Sequence, residues 1–221
     1  MLHKSTIGFL KKLKKNNNRE WFNANKNLYE DAKRDFSFFV GELIDRISEF
    51  DSAVRGLQPE KCVFRIYRDV RFSKDKKPYK TNMGASMNPG GRKSNVAGYY
   101  FHLEPGSCFL AGGKYMSEPD ELKMIRTAIM NNARRFKNIA SNKDFKKYFG
   151  DVHGAKLKTS PKGFPKEHES MEYLKLKSFI AYSEIKGDEK ILAKNFPDQA
   201  TKIFKAMKPM LDFLREVTNR P

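Results

Sequence analysis

A proline-free run from about Arg19 to Phe50 constrains this chain more than any other feature. Leu28, Ala32, Phe36, Phe39, Leu43, Ile47 and Phe50 recur along it at spacings of three and four, which puts them on one stripe of an α-helix. Such a stripe must leave water, so the rest of the chain has to supply a surface that covers it. A shorter helix, Ser5 to Lys15, precedes it, and Asn16, Asn17 and Asn18 break the two apart and can cap the second.

The covering surface reads as sheet. Val63 to Val70 has the β-branched and aromatic character of a strand, and Val96 to Glu104 alternates, with Ala97, Tyr99, Phe101 and Leu103 on one side and Gly98, Tyr100, His102 and Glu104 on the other. Glu104-Pro105-Gly106-Ser107 fits a type II turn leading into a returning strand, Cys108 to Ala111, so an antiparallel hairpin is expected. Ser117 is placed to cap a middle helix whose buried face is Leu122, Ile125, Ile129, Ala133 and Phe136, with Lys123, Arg126 and Arg134 facing elsewhere. Residues 142 to 170, rich in Gly, Pro, Lys and Ser, predict surface loops. Lys177 to Ile185 reads as a further strand. Pro197 opens a C-terminal helix with Ile203, Met207, Met210, Leu214 and Val217 inward and a kink at Pro209.

No linker, internal repeat or heptad seam divides the 221 residues, which are enough to bury a sizeable core, so a single domain over 1–221 is expected. The fold class is α+β: a central antiparallel or mixed sheet flanked by a long N-terminal helix, a middle helix and a C-terminal helix. No apolar run approaches the roughly 20 residues that span a bilayer, and the lysine-rich start is not a secretory signal, so a cytoplasmic protein without a membrane partner is expected. Cys62 and Cys108 then read as free thiols in apolar segments.

Charge is what points to function. The net charge is +18, and it is uneven: residues 61 to 93 carry ten Lys and Arg against Asp69 and Asp75. Such an excess attracts anions of many kinds. With a strand at 63 to 71, a period of two separates Phe64, Ile66, Arg68 and Val70 from an Arg65, Tyr67, Asp69, Arg71 ladder, with Lys77, Tyr79 and Lys80 in the loop at its rim. Tyr100 and His102 can join that face from the hairpin. Arginine forks grip carboxylate or phosphate, lysines add point charge, and tyrosines donate hydrogen bonds or stack. The same residues can equally form a structural salt-bridge network on an open sheet face. Asp69 and His102 are the groups able to carry a proton if the site is catalytic.

Other chemistries lack their residues. His3, His102, His153 and His168 lie far apart with no Cys or carboxylate at ligand spacing, so no metal site is expected. GGKY at 112 to 115 and GGRKS at 90 to 94 both miss the spacing of a nucleotide-triphosphate loop, and no cofactor fingerprint is present. Trp21 and Phe22 read as packing aromatics at a helix start, and His168 as a cap for the helix it precedes.

The segments NNNREWF, FRIYRDVRFSKDKKPYKTNMG, GYYFHLEPG, AGGKYMSEPDELKMIR and PKGFPKEHESMEYLKLKSF together resemble the bacterial conserved hypothetical proteins of domain-of-unknown-function family 2461, from about Phe9 to Leu214. Lys114 stands where that pattern leads one to expect a small residue after Gly113, which speaks against close ligand approach at that loop. The resemblance implies a single-domain α+β bacterial cytoplasmic protein and brings no activity or catalytic residue with it. Three readings stay open: a small phosphate- or carboxylate-bearing ligand held by Arg65, Arg68, Arg71, Lys77, Tyr79, Lys80 and Tyr100; nucleic acid on the basic loop; or a structural ion network.

Overall fold

A computed structural model describes residues 1–218. In chain order the N-terminal part contains α1 (Lys4–Lys15), α2 (Arg19–Ala24), α3 (Lys26–Ser48) and the short α4 (Pro59–Cys62). The strands are β1 (Met83–Met87), β2 (Gly98–Leu103), β3 (Cys108–Lys114) and β4 (Phe179–Ile185). Between β3 and β4 lie α5 (Pro119–Asn131), α6 (Ala133–Ser141), α7 (Lys143–Phe149) and α8 (Met171–Leu174), and after β4 come α9 (Asp188–Ile191) and α10 (Phe196–Thr218). The fold is α+β, and the sheet is antiparallel throughout in the order β1-β2-β3-β4.

The apolar stripe from Leu28 to Ile47 forms as expected on α3, but the proline-free run that carries it divides into two helices. Asn25 ends α2, its N–H bonding back to Trp21 O at 3.0 Å, and α3 starts at the next residue. Asn16 closes α1, and the Asn18 side chain accepts the Trp21 N–H at 2.9 Å to open α2, so the asparagine triplet does punctuate the helices. Within α3, Ala32, Phe36, Phe39, Leu43 and Ile47 are buried. Phe36 and Phe39 meet Phe101 of β2 at ring-centroid distances of 5.6 and 5.5 Å. On α10, Phe204 meets Tyr99 edge-on at 5.3 Å. The two long helices therefore lie across the side of the sheet formed by Ala97, Tyr99, Phe101 and Leu103, all fully buried. α10 comes so close to β3 that a Cβ on Gly112 would run into the Met207 sulfur, which is why that position is glycine.

The turn before β3 has Gly106 at φ 81° and a hydrogen bond from Ser107 N–H to Glu104 O of 2.9 Å, as a type II turn requires. β4 falls inside the expected Lys177 to Ile185 run, and α10 continues through Pro209.

A buried ion pair locks the C-terminal helix to the rest. Asp51 accepts from Arg215 Nη1 at 2.7 Å, from the Tyr99 hydroxyl at 2.8 Å and from Ala53 N–H at 3.1 Å, while Arg215 Nε donates to Ala97 O at 2.8 Å. Burial alone would raise the Asp51 carboxyl, but the hydrogen bonds from Arg215 and Tyr99 outweigh it and hold it below the usual carboxylate range.

Several expectations are corrected. Val63 to Arg71 is not a strand. It makes isolated bridges only, Val63 with Ala85 and Tyr67 with Tyr79, because the chain turns back on itself: Arg68 N–H bonds Pro78 O and Lys80 N–H bonds Ile66 O, at 2.9 and 2.8 Å. Cys62 sits in α4 rather than a strand; it and Cys108 are buried free thiols. The middle helix divides at Asn132 into α5 and α6. Its N-cap is Glu118 with Pro119 in the first turn, and the Ser117 hydroxyl is buried without a hydrogen-bond partner. Residues 142 to 170 are not all loop, since Asn142 caps α7 through its side chain. Arg126 does not face elsewhere; it is 8% exposed.

Candidate functional site: the open face of the sheet

Alternation along the strands leaves a second set of side chains on the face away from α3 and α10. Gly84 and Ser86 of β1, Tyr100 and His102 of β2, Phe109 and Ala111 of β3, and Ile180 and Tyr182 of β4 line a cleft of about 1650 Å³. Register brings them side by side: Ser86 pairs with Tyr100, His102 with Phe109, and Ala111 with both Tyr100 and Tyr182. The floor is aromatic. Phe109 stacks on His102 at 4.4 Å and contacts Tyr182 at 4.9 Å and Tyr100 at 5.7 Å. Gly84 has no Cβ because the Tyr100 phenol lies over it.

One wall is the arm from Phe64 to Lys80. Its root is held by stacked aromatics: Phe22 lies on Tyr79 at 3.9 Å, and Tyr67 packs edge-on against Phe22 at 5.9 Å. Asn17 adds a two-way clamp, donating to Tyr79 O at 2.9 Å and accepting from Tyr79 N–H at 3.1 Å. Fixed in this way, the arm turns Phe64, Arg68, Asp69 and Lys80 toward the cleft. The Lys80 ammonium lies 5.5 Å from the Phe64 ring centre and makes no ion pair among the described residues. Burial, and then the charge of Arg65, lowers its pKa. Arg68 is committed to its own loop, donating to Asp75 at 2.8 Å and to Lys77 O at 3.0 Å.

The opposite wall is the β3–α5 connection and the start of α5, with the 153–157 segment. Met116 is the only described non-glycine residue with positive φ, at 52°, and its N–H donates to Ser178 Oγ at 3.2 Å. An unbranched residue in that region is under strain, which the surrounding bonds must sustain. This bend leaves Tyr115 and Met116 exposed at the cleft mouth. Lys114, lining the same wall, is buried and paired with Glu121 and Asn95 O. Below them sits Arg126. Its Nη2 donates to Leu176 O at 2.9 Å, its Nε has no partner, and no carboxylate pairs with it among the described residues. Burial lowers its pKa. A buried guanidinium beside a cleft without a counter-charge is a costly arrangement in an isolated chain.

His102 joins two further groups. Its Nδ1 lies 3.1 Å from the Tyr100 hydroxyl and its Nε2 3.4 Å from Glu104, whose other oxygen accepts from Thr81 at 2.8 Å. With the carboxylate as an acceptor, Nε2–H donates to Glu104 and the Tyr100 hydroxyl donates to Nδ1. Burial lowers the His102 pKa against the opposing pull of Glu104, and pushes the Tyr100 phenol up to about 12. With both ring nitrogens engaged and burial opposing the charge, the row holds a neutral imidazole.

Of the expected site residues, Arg68, Asp69, Lys80, Tyr100 and His102 line one cleft; Arg65, Arg71, Lys77 and Tyr79 do not. Tyr79 is a buried support. Arg71 is exposed and spends its charge on Asp69 at 2.6 Å, and that pair holds the exposed Asp69 carboxyl below its ordinary range. The Arg65, Tyr67, Asp69, Arg71 ladder is thus not a continuous ion network: Tyr67 joins the aromatic root, Arg65 has no ion pair among the described residues, and Asp69 alone of the four lines the cleft. Sequence reasoning missed Arg126, although it lies four residues after Leu122 and three before Ile129, on the buried stripe itself. Among the described residues no group of three or more His, Cys, Asp or Glu is placed to hold a metal ion.

Fold and site together define a helix-backed antiparallel sheet whose open face is aromatic and whose walls carry charged side chains of both signs. The chain belongs to the family described as "Conserved hypothetical protein (DUF2461)", which matches residues 5–213. No curated protein and no solved structure that was searched matches it. No helix among the described residues is long and apolar enough to cross a membrane.

Proposed function

We propose that this protein binds a small anionic ligand, carrying phosphate or carboxylate, in the cleft on the open face of its sheet. The observation that carries this reading is Arg126, a buried guanidinium in the cleft wall with no protein carboxylate to balance it among the described residues. A ligand anion supplies the missing counter-charge. Lys80 and Lys177, also lining the cleft and without ion pairs among the described residues, add to the field. Five cationic side chains and two carboxylates, Asp69 and Glu118, line the cavity, so its potential is positive even where Arg68 and Lys114 are already paired. Within this reading any proton transfer falls to His102, in its row between Tyr100 and Glu104, and not to Asp69, which is spent on Arg71. A cytoplasmic setting belongs to the same reading, and two buried free thiols agree with a reducing compartment.

A thermal-shift screen of phosphorylated and carboxylated anions at constant ionic strength tests the proposal. Specific anions should raise Tm in the wild type and lose that effect in Lys80→Met and Arg126→Met variants. A rise that tracks ionic strength alone, equal in all three proteins, refutes it.

A further inference from the structure

We infer that the ligand of this cleft carries a planar heteroaromatic ring as well as its anionic group, which makes it a nucleoside phosphate. The inference rests on the anion reading above and adds the second half of the molecule. Nine large hydrophobic side chains are exposed among the described residues, and four of them, Phe64, Tyr115, Met116 and Tyr182, line this one cleft. Exposed apolar groups gathered in a concavity mark a binding surface. Tyr182 is 38% exposed, yet its ring is braced by Phe109 at 4.9 Å and by His153 edge-on at 6.4 Å. A braced, half-open ring loses little freedom when a base stacks on it, and every base has a π-face to offer.

The anionic end is fixed by different residues. Arg126 and the buried, unpartnered hydroxyl of Ser117 lie in the same wall as Tyr115 and Met116, so an oxygen-rich group there meets an uncompensated cation in a wall that also exposes the Tyr115 ring and the Met116 thioether. A bare phosphate would leave the aromatic floor unused. The volume, about 1650 Å³, exceeds the roughly 300–1,000 Å³ of ordinary ligand clefts and leaves room for ring, sugar and phosphate together. A long nucleic-acid strand is less suited to it, because Lys74, Lys76 and Lys77, the densest charge on the arm, do not line the cleft.

The test is equilibrium titration of the full chain, at fixed ionic strength, with adenosine and guanosine monophosphates, ribose 5-phosphate, inorganic phosphate and a ten-nucleotide single strand. A mononucleotide should bind about tenfold tighter than ribose 5-phosphate, the advantage that stacking a base on an aromatic ring confers. Tyr182→Leu should erase that advantage and leave ribose 5-phosphate affinity unchanged. Tyr115→Ser, at a side chain too exposed to affect folding, should reduce it. Equal affinity for mononucleotide and ribose 5-phosphate would overturn the ring and leave the anion reading standing. Binding of the single strand with no response to mononucleotides would replace the inference with nucleic-acid recognition. No binding to any of the five would remove this inference and the phosphate form of the reading beneath it, and a response to carboxylates in the thermal-shift screen would then leave only the carboxylate form standing.

Discussion

Arg126→Met should make the unliganded protein more stable while abolishing its response to anions. Taking a cation out of water costs several kcal/mol even after relaxation, and a protein normally recovers it through a paired carboxylate. Arg126 recovers part of it through a single bond, Nη2 to Leu176 O at 2.9 Å, leaves Nε unpartnered, and has no carboxylate among its described partners. A hydrogen bond from a charged donor returns about 1.5–3 kcal/mol, so a deficit of roughly 1–2 kcal/mol remains in the empty cleft. Methionine is unbranched and adaptable enough to take the place of the buried Arg126 stem without a charge. The variant should therefore gain about 1–2 kcal/mol, which for a chain of this size raises Tm by roughly 2–8 °C. Urea denaturation followed by Trp21 fluorescence and far-UV circular dichroism, with and without saturating inorganic pyrophosphate, reads both effects. A loss of stability beyond about 2 kcal/mol would make Arg126 a structural strut, and an undiminished pyrophosphate response would detach it from the site.

Two buried groups carry further expected outcomes. Asp51→Ala strands Arg215 in the core and should cost about 3–5 kcal/mol in urea denaturation, with most of that restored by adding Arg215→Met; a cost below about 1 kcal/mol would show that water already reaches the pair. Because the folded carboxyl of Asp51 lies below its unfolded value near 3.9, its contribution is complete above that pH and is lost as pH falls through the depressed folded value. His102 should titrate below its ordinary 6.5 by NMR, with the proton on Nε2 in the neutral form. Its share of stability is then full above about pH 6.5 and declines as pH falls toward the folded value, and His102→Gln should flatten that slope. A midpoint above 6.5 would mean that Glu104 outweighs burial.

The helices and the hairpin were legible because one physical signal dominated each. Phe36, Phe39, Leu43 and Ile47 can satisfy their spacing only as a helix against a core, and Tyr99, Phe101 and Leu103 alternate because one side of the sheet is covered. Elsewhere local preference lost to tertiary pairing. Met83–Met87 contains Gly and Ser and carries no strand signature; it is a strand because β2 offers it a complete ladder. Phe64 to Val70 has the better β composition, yet beyond the Phe64 N–H bond to Gly84 O of β1 its partners are its own loop and the Phe22 and Tyr79 rings, so only isolated bridges form. The site was half legible for a related reason. The charge of the arm led to Lys80 and Arg68, and the alternation of the hairpin led to Tyr100, but the abundance of lysine hid the cation that matters through its burial. Arg126 stands out only once Leu122, Arg126 and Ile129 are seen on one helical face, and a single sequence does not show that a cleft lies against it.

The central claim is that anions bind on the open face of the sheet and not across the lysine-rich surface. Amide NMR shifts during a pyrophosphate titration at constant ionic strength address it directly. They should concentrate on Tyr100, Ala111, Met116, Ser117 and Arg126, saturate with one site, and disappear in the Arg126→Met variant. Shifts spread over Lys74 to Lys77 and other exposed lysines, growing without saturation and indifferent to Arg126, would contradict the account.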